Sequence, residues 1–195
     1  PVSHRAGRWA MNETYFALLA KYGYTIDCSV TPHVDWTGTL GQSKGAYGTN
    51  YNKAHEQPYW IDTEYGKIME CPVTIRVSHR IRIPVWNTQG LKYAAKRVIK
   101  GQVLWFRPHS NNHSEMIELM DMVQHEKDTY LMFMLHSSEL MPGGSPTFKT
   151  QDDIERLYSS LDHVFHCASK KFTGVTLEGY YKDVLDNQGG IGIGK

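Results

Sequence analysis

The stretch LMFMLHSSELMPGGSP, residues 131–146, passes from a core-type segment into a polar loop within a few positions. Five apolar residues, 131–135, are followed directly by His136, two serines and Glu139, and then by a loop with two glycines. A short apolar run bounded by turn residues is typical of a buried strand. Because the carboxyl ends of strands in α/β folds bear the functional side chains, this stretch predicts both a fold class and a role for His136.

Strands and helices alternate along the rest of the chain. Asn12 is predicted to cap a helix over 13–22 that Gly23 ends. The other predicted helices lie at 89–100, after a Ser114 cap, after the capping pair Thr150 and Asp153, and after Thr176. The predicted strands and extended segments lie at 25–30, 72–77, 81–85, 103–106 and 130–135, and 37–57 is predicted to be a long surface loop. This alternation predicts an α/β fold with mostly parallel strands.

Length and composition limit the class of protein. The chain has 195 residues, 41% of them hydrophobic, and a formal net charge of +1, which predicts one domain at 1–186 with a substantial core and a flexible glycine-containing tail at 187–195. The small net charge argues against a general nucleic-acid or membrane-surface protein. No apolar run approaches the roughly 18 residues that a transmembrane helix needs.

The three cysteines lack the spacing of a redox or zinc motif. Cys28, Cys71 and Cys167 are far apart and odd in number, so they predict neither a disulfide framework nor a thiolate metal site. Buried free thiols are compatible with a reducing compartment.

Two arginines and a tryptophan stand in SHRAGRW, residues 3–9. A guanidinium binds a carboxylate through two parallel hydrogen bonds, and Gly7 would let the backbone turn tightly. Arg5 and Arg8 are therefore either carboxylate-binding groups or an exposed pair before a helix, and the spacing leaves both interpretations open.

YTIDCSVTPHVDW, residues 24–36, places Asp27 in an apolar strand, where a carboxylate needs a partner. Asp35 and Trp36 follow a proline turn, and an indole is a good platform for the apolar face of a sugar ring. The structural alternative is that Asp27 pairs with Arg5 or Arg8 and that Trp36 belongs to the core.

His136 is either a general acid or a satisfied interior histidine, and Glu139 and Ser137 could orient its second ring nitrogen. In RPHSNNHSEM, residues 107–116, His109 and His113 have a spacing that suits a metal if the segment is helical. The predicted cap at Ser114 would instead leave both histidines in a loop.

A basic stretch runs from Cys71 to Ser114, with eight lysines or arginines and no acidic residue. It is either a solvated basic face or a contact for an anionic polymer or a lipid-linked phosphate, and no nucleic-acid-binding signature accompanies it. The predicted helix within it is expected to turn its apolar side inward, with Leu91, Ala95, Val98 and Ile99.

Taken in order, several motifs resemble the polysaccharide deacetylase (NodB-homology) family, in its branch that serves bacterial surface-polysaccharide (O-antigen or capsule) biosynthesis. They are RAGRW, GYTIDCSVTPHVDW, PYW at 58–60, ECPVTI at 70–75, MLHSSELMPGGSPTF and FTGVTLEGYY, and the resemblance runs from about residue 4 to 181. It implies a distorted (β/α) barrel, of which this chain is the C-terminal part. It also implies removal of N- or O-acetyl groups from sugars with a divalent metal, often zinc, bound by one Asp and two His.

The resemblance also implies roles for individual residues. Arg5 matches the arginine that orients a catalytic aspartate, and Arg8 and Trp9 extend the same motif towards the substrate. Asp27 and Trp36 fall in the region that tunes the late histidine and shapes the pocket.

Further along the chain, Leu135 matches the residue that lines the acetyl pocket, and His136 matches the proton donor to the leaving amine. Ser137 follows as a substrate-binding residue.

The sequence departs from the family in one major respect. The paired-aspartate and H-x-x-x-H motifs are expected before Arg5, and the four residues that precede Arg5 contain neither. The metal ligands are therefore expected upstream of Pro1, and His109 and His113 are the candidates within the chain. His4 stands where the family usually has an aromatic residue.

Three alternatives remain open from the sequence. The first is the deacetylase, with an N-acetylated sugar or polysaccharide as its partner, no nucleic acid, and a cytoplasmic location, or a periplasmic one because the true N-terminus is not visible. The second is a non-catalytic carbohydrate-binding relative. The third is a glycosidase that uses Asp27 and Glu139, which needs two carboxylates about 5–10 Å apart.

Overall fold

The computed structural model describes residues 1–39, 47–81, 88–126 and 130–189. The chain divides into two compact units, the first formed by Pro1–Val73 with Phe172–Lys195 and the second by Thr74–Lys171. Each unit has its own small sheet and its own helices. The fold is thus mixed α/β, in agreement with the predicted class, and the described residues form no closed barrel. None of the helices in these ranges is long and apolar enough to cross a membrane.

The first unit is built on a four-stranded sheet in the order β1-β2-β4-β3. Its strands are β1 (Ser3–His4), β2 (Ile26–Asp27), β3 (Tyr59–Thr63) and β4 (Gly66–Glu70). β1 and β2 are parallel, β2 and β4 are parallel, and β3 is antiparallel to β4. The prediction of mostly parallel strands is nevertheless wrong, because β3–β4 and the two-stranded sheet of the second unit are antiparallel, so only two of the four ladders among the described residues are parallel. The β3–β4 hairpin was not predicted, because its strands do not follow one simple alternation of apolar and polar residues.

Two helices complete the first unit, α1 (Glu13–Lys21) and α5 (Leu177–Gly189). Asn12 caps α1 as predicted, since its Oδ1 accepts the N–H of Tyr15 at 2.8 Å. Gly23, with φ +82°, ends this helix in the left-handed region that glycine favours. Leu19 and Ile68 meet in the core beneath α1. The prediction that Thr176 caps α5 is also confirmed by the N–H of Gly179 at 3.0 Å.

The second unit contains the antiparallel pair β5 (Ile75–Ser78) and β6 (Gln102–Trp105). Its helices are α2 (Thr88–Lys100), α3 (His113–Gln124) and α4 (Gln151–Ser169). The predicted capping pair of α4 is confirmed, because Thr150 Oγ1 accepts the N–H of Asp153 and the Asp153 carboxylate accepts the N–H of Thr150. The buried side of α4 packs on Phe148.

The predicted strand at 130–135 is extended but pairs in no ladder. The N–H of Met132 donates to the Thr74 hydroxyl at 2.7 Å instead of to a backbone carbonyl, while the N–H of Met134 reaches the carbonyl of Phe106 at 3.2 Å. The Thr74 side chain thus replaces one backbone hydrogen bond of a strand ladder. The end of the segment on His136 is nevertheless as predicted.

Two further predictions were wrong. α3 begins one residue before Ser114, and Asn112 precedes it and orders the loop through its side chain, with bonds to the N–H of His109 and the carbonyl of Arg107. The predicted inner side of α2 is its outer side, for a reason given below. The predicted extended segment at 81–85 lies, beyond residue 81, outside the described residues.

Candidate active site

Three titratable residues end three neighbouring parallel strands of the first unit. His4 closes β1, Asp27 closes β2 and Glu70 closes β4, and the register pairs His4 with Asp27 and Asp27 with Glu70. Side chains in register on adjacent strands point to the same face of a sheet. We call these three residues the strand-end row. It occupies the edge at which parallel α/β sheets place their chemistry.

Asp27 is the centre of the strand-end row and is completely buried. Its Oδ1 lies 2.7 Å from Nδ1 of His4 and accepts the hydroxyl of Ser29 at 3.0 Å, while its Oδ2 accepts the N–H of Ser29 at 2.9 Å. The predicted structural alternative, in which Arg5 or Arg8 pairs with Asp27, is not what the structure contains. A histidine and a serine satisfy the carboxylate instead.

Glu70 is equally buried, and its two oxygens differ in their surroundings. Oε1 accepts the N–H of Val30 at 2.9 Å, whereas no N–H or O–H group of the described chain donates to Oε2. Burial, and then the charge of the neighbouring Asp27, raise the pKa of Glu70 well above its ordinary value. Glu70 therefore holds a proton more readily than an exposed glutamate does.

The strand-end row changes the acidity of its neighbours. Burial, and then the charges of Asp27 and Glu70, raise the pKa of the Cys28 thiol to about 12, against a smaller opposing effect of Arg5. Burial also raises the pKa of the Tyr51 hydroxyl to about 12. Because only a thiolate is a strong nucleophile, Cys28 is chemically inert near neutral pH.

His4 links the buried pair to the surface. Its side chain is 18% exposed, and its Nε2 lies 3.3 Å from the hydroxyl of Tyr15, itself exposed on α1. His4 thus connects the buried Asp27 carboxylate to the exposed hydroxyl of Tyr15. It supplies the polar partner that a buried carboxylate requires.

The RAGRW motif forms a strained turn next to this row. Arg8 and Trp9 have φ values of 56° and 59°, in the left-handed region that non-glycine residues rarely adopt, whereas Gly7, which we expected to make the turn, does not. The hydroxyl of Tyr51 donates to the carbonyl of Trp9 at 2.6 Å, and the Arg5 guanidinium lies 5.3 Å from the Trp9 ring centre. Trp9 is buried, while Arg5 and Arg8 are exposed. Paired strained residues of this kind are concentrated at functional sites.

Trp36 is half-buried and fixed by its indole N–H, which donates to Thr31 Oγ1 at 2.8 Å. Asp35 beside it accepts the hydroxyl and the N–H of Thr37, and these bonds lower the pKa of Asp35. The indole therefore has a defined position and a partly open surface.

His136 begins a loop of the second unit that Glu139 anchors. The Glu139 side chain is 5% exposed. Its Oε2 accepts the backbone N–H of His136 at 2.8 Å, and its Oε1 accepts Nη2 of Arg107 at 2.8 Å. Glu139 thus binds the backbone of His136 rather than its ring, contrary to expectation. We call residues 136–144 the histidine loop.

The residues on either side of His136 lie in different environments. Leu135 is half-buried and packs against the Phe148 and α4 core, whereas Ser137 is exposed like the imidazole of His136. The His136 ring is therefore available to solvent on a loop whose backbone is fixed from below. This arrangement suits a proton donor better than an interior structural histidine.

The two metal-ligand candidates within the chain do not form a site. His113 is the first residue of α3 and His109 lies in the loop before it, so they do not share a helix face. His109 is 4.0 Å from the Glu115 carboxylate, and His113 lies against His163 with ring centres 6.3 Å apart. Among all described residues, no group of three His, Cys, Asp or Glu side chains could bind a metal ion.

Sequence reasoning missed Glu70 as a site residue. The motif ECPVTI contributed to the family resemblance, but its glutamate was given no role. The available signal was a glutamate at the end of an apolar strand followed by Cys71 and Pro72, since a charge in such a position needs a partner just as Asp27 does. Its partner could not be identified without the strand register.

The structure thus groups the predicted residues in two sets. Arg5, Arg8, Trp9, Asp27 and Trp36 belong to the first unit, and Leu135, His136 and Ser137 belong to the second. Comparison of the chain with protein-family models, with curated proteins and with solved structures finds no match in any of the three.

Proposed function

We propose that this chain is the catalytic part of a hydrolase that removes acetyl groups from N- or O-acetylated sugars during bacterial surface-polysaccharide biosynthesis. The observation on which the proposal depends is the strand-end row, three titratable residues at the carboxyl ends of parallel strands in which His4 and Asp27 are hydrogen-bonded. Buried carboxyl pairs with shifted pKa values are common at active sites.

In the proposed reaction His136 is the proton donor. As water adds to the acetyl carbon and the bond to the sugar nitrogen breaks, the imidazolium gives its proton to the departing amine. The proton that the water loses passes to solvent and the imidazole regains one from solvent, so that acetic acid and a free amino sugar are released. The bond from Glu139 to the His136 backbone fixes the position of the donor.

The resemblance implies a divalent metal such as zinc, and the described residues do not fit one. They contain no three-residue ligand group, and His109 and His113 point to separate partners. We therefore assign no step of the reaction to a metal.

The proposal is tested by replacing His136 in the full-length protein. His136→Ala should lower acetate release from an N-acetylated glucosamine oligomer by roughly 10²- to 10⁴-fold, the usual contribution of a general acid. His166→Ala, which changes an exposed histidine of α4, is the matched control and should leave the rate unchanged. Normal acetate release by the His136 variant would refute its role as the acid.

A non-catalytic carbohydrate-binding protein is the second candidate, and the complete burial of Asp27 and Glu70 favours it. In that case calorimetry should detect binding of the same oligomer with no acetate release, and Trp36→Ala should weaken that binding. The glycosidase is less well supported, because both Asp27 and Glu139 are already bonded to neighbours within their own units. Release of reducing ends from the oligomer would favour it.

A further inference from the structure

Helix α2 of the second unit turns an apolar stripe towards solvent. Leu91 is 62% exposed, Val98 60% and Ile99 76%, and Ala95 between them is exposed as well. Positions i, i+4, i+7 and i+8 lie along one face of an α-helix. A soluble helix normally buries such a face, so this one requires an explanation.

The orientation of α2 is fixed by its opposite face. Ala94 and Arg97 are buried, at 7% and 3% exposed, and the Arg97 guanidinium donates to the carbonyl of Arg80 at 3.0 and 2.7 Å. The ring Nδ1 of His79 contacts the carbonyl oxygens of Arg97 and Val98 at 3.0 and 3.1 Å. A buried guanidinium with these bonds cannot exchange places with the apolar stripe cheaply. The stripe therefore faces outward because Arg97 faces inward.

A row of lysines borders the stripe on one side. Lys92, Lys96 and Lys100 are all exposed and follow one another at i, i+4 and i+8. No acidic residue occurs anywhere between Cys71 and Ser114. The surface of α2 thus combines exposed aliphatic groups with uncompensated positive charge along its own length, although the net charge of the whole chain is only +1.

We propose that α2 docks this protein on an anionic lipid surface, with the aliphatic stripe at the acyl boundary and the three lysines among the headgroup phosphates. Both features of the helix find a complement there, since such a surface is negative outside and apolar beneath. Nucleic acid offers the charge without an apolar layer for Ile99. A symmetric contact between two copies of α2 would bring lysines against lysines.

This proposal does not depend on the deacetylase assignment. Docking is a property of α2 alone and predicts binding whether or not the protein hydrolyses acetyl groups. The two proposals are therefore tested by separate readouts, vesicle binding and acetate release.

The experiment is co-sedimentation of the full chain with vesicles at low ionic strength. Vesicles of phosphatidylcholine mixed with phosphatidylglycerol should sediment the protein, and vesicles of phosphatidylcholine alone should not. Changing Lys92, Lys96 and Lys100 to Gln should weaken binding by about 100-fold, because each lysine near an anionic surface contributes about fivefold. The double variant Leu91→Asn, Ile99→Asn should weaken it by at least about tenfold.

Matched controls remove the same charge or the same apolar surface elsewhere. Changing the exposed Lys53, Lys149 and Lys170 to Gln alters the net charge equally and should change binding by less than about twofold. Val175→Asn, at a side chain 57% exposed outside α2, should have no effect. Circular dichroism verifies folding, and Ile99→Ala supplies a helix-compatible second variant if the asparagines disturb α2.

Five outcomes would overturn the proposal. Three concern vesicles: no sedimentation with anionic vesicles, equal binding by the stripe variants and the parent chain, and equal losses in the α2 and control lysine variants. The fourth is lysine-dependent binding of duplex DNA without vesicle binding. The fifth is a protein that does not bind vesicles but forms a dimer, where the stripe variant is a monomer. That result would replace the lipid proposal with self-association through α2.

Discussion

Glu70 and Glu139 are both buried glutamates, but the two units use them in opposite ways. Each oxygen of Glu139 accepts a charged or backbone N–H donor, so the carboxylate is satisfied as an anion and anchors the histidine loop. Glu70 faces another carboxyl group and one of its oxygens lacks a donor, so its pKa is raised. The difference teaches that the donors around a buried acid, rather than burial itself, decide whether the ionised form is stabilised.

The largest effect should come from removing the centre of the strand-end row. Asp27→Ala leaves the Ser29 N–H, the Ser29 hydroxyl and a His4 nitrogen unpaired in the interior. We expect the free energy of unfolding to fall by about 3–5 kcal/mol. Urea unfolding of the variant and the parent chain measures this loss.

Asp62→Ala is the matched control for this measurement. Asp62 belongs to the same unit but has an 80% exposed side chain, with Lys67 at 3.3 Å. Its loss should be below about 1 kcal/mol. If both variants lose the same small amount, the bonds of Asp27 contribute nothing special and the comparison with Glu139 collapses.

The second prediction concerns the anchor itself. Glu139→Ala should cost about 2–4 kcal/mol, because it leaves the Arg107 guanidinium and the His136 N–H without their acceptor. The amide of His136 should also exchange with solvent at least about tenfold faster, since its hydrogen bond is gone. Hydrogen exchange read by NMR measures both effects.

Glu139→Gln separates the charge of the anchor from its shape. The amide oxygen can still accept one of the two donors, so the stability loss should be smaller than in the alanine variant, at about 1–2 kcal/mol. An unchanged His136 exchange rate in both variants would show that the loop is fixed by something other than Glu139.

Third in size is a steric change in the histidine loop. A Cβ at Gly144 would overlap the carbonyl oxygen of Ser138, which belongs to rigid backbone. Gly144→Ala should therefore cost about 1–3 kcal/mol. Gly143→Ala is the control, because that position has open space and only a φ of +73° to strain it, so about 1 kcal/mol is expected. Thermal unfolding compares the two, and an equal loss would argue that the close approach to Ser138 is relieved by a movement of the loop.

The smallest predicted effect is a change of the free energy of unfolding with pH that is caused by Glu70. Its pKa in the folded state is raised, so the folded chain binds the proton more tightly than the unfolded chain does. Stability is then highest below the ordinary pKa of 4.5 and falls as the pH rises towards the folded value, by at most about 1.4 kcal/mol per pH unit. Glu70→Gln, which imitates the protonated acid, should remove this part of the slope.

Asp153 should change the free energy of unfolding with pH in the opposite direction to Glu70, and Asp153→Asn should remove that change. The Thr150 N–H and hydroxyl lower the pKa of Asp153, so its contribution is present at neutral pH and is lost as the pH falls. Chemical unfolding at a series of pH values distinguishes the two variants. If Glu70→Gln leaves the pH dependence of stability of the parent chain unchanged, the pKa of Glu70 is not raised in the folded state.

Local chemistry explains which parts of the fold could be predicted. The caps at Asn12, Thr150 and Thr176 bond to N–H groups three residues on, so their letters are sufficient to locate the helix starts. The ending of the apolar run at His136 is local in the same sense. These predictions needed no knowledge of what the element would pack against.

Tertiary partners explain the rest. Helix α2 has a normal amphipathic pattern, but Arg97 is drawn inward by the carbonyl of Arg80, and the apolar side therefore faces out. Asp27 was recognised as a carboxylate needing a partner, yet His4 becomes that partner only when β1 and β2 align in register. Glu70 was overlooked for the same reason. Sequence patterns indicate that a buried charged group needs a hydrogen-bonding partner. The strand register decides which residue that partner is.

The sheet of the first unit also implies an order of events during folding. β3 and β4 are joined by a two-residue turn and can pair within microseconds, because little chain has to be closed. β1 and β2 bring together residues 23 positions apart, and β2 must then find β4 across a still longer loop. We therefore expect the β3–β4 hairpin to form first and the parallel strands to add to it. His4, Asp27 and Glu70 then meet only when the last parallel strand has paired. Until then each is a hydrated acid or base, so we expect the raised pKa of Glu70 to arise only at the final stage of assembly.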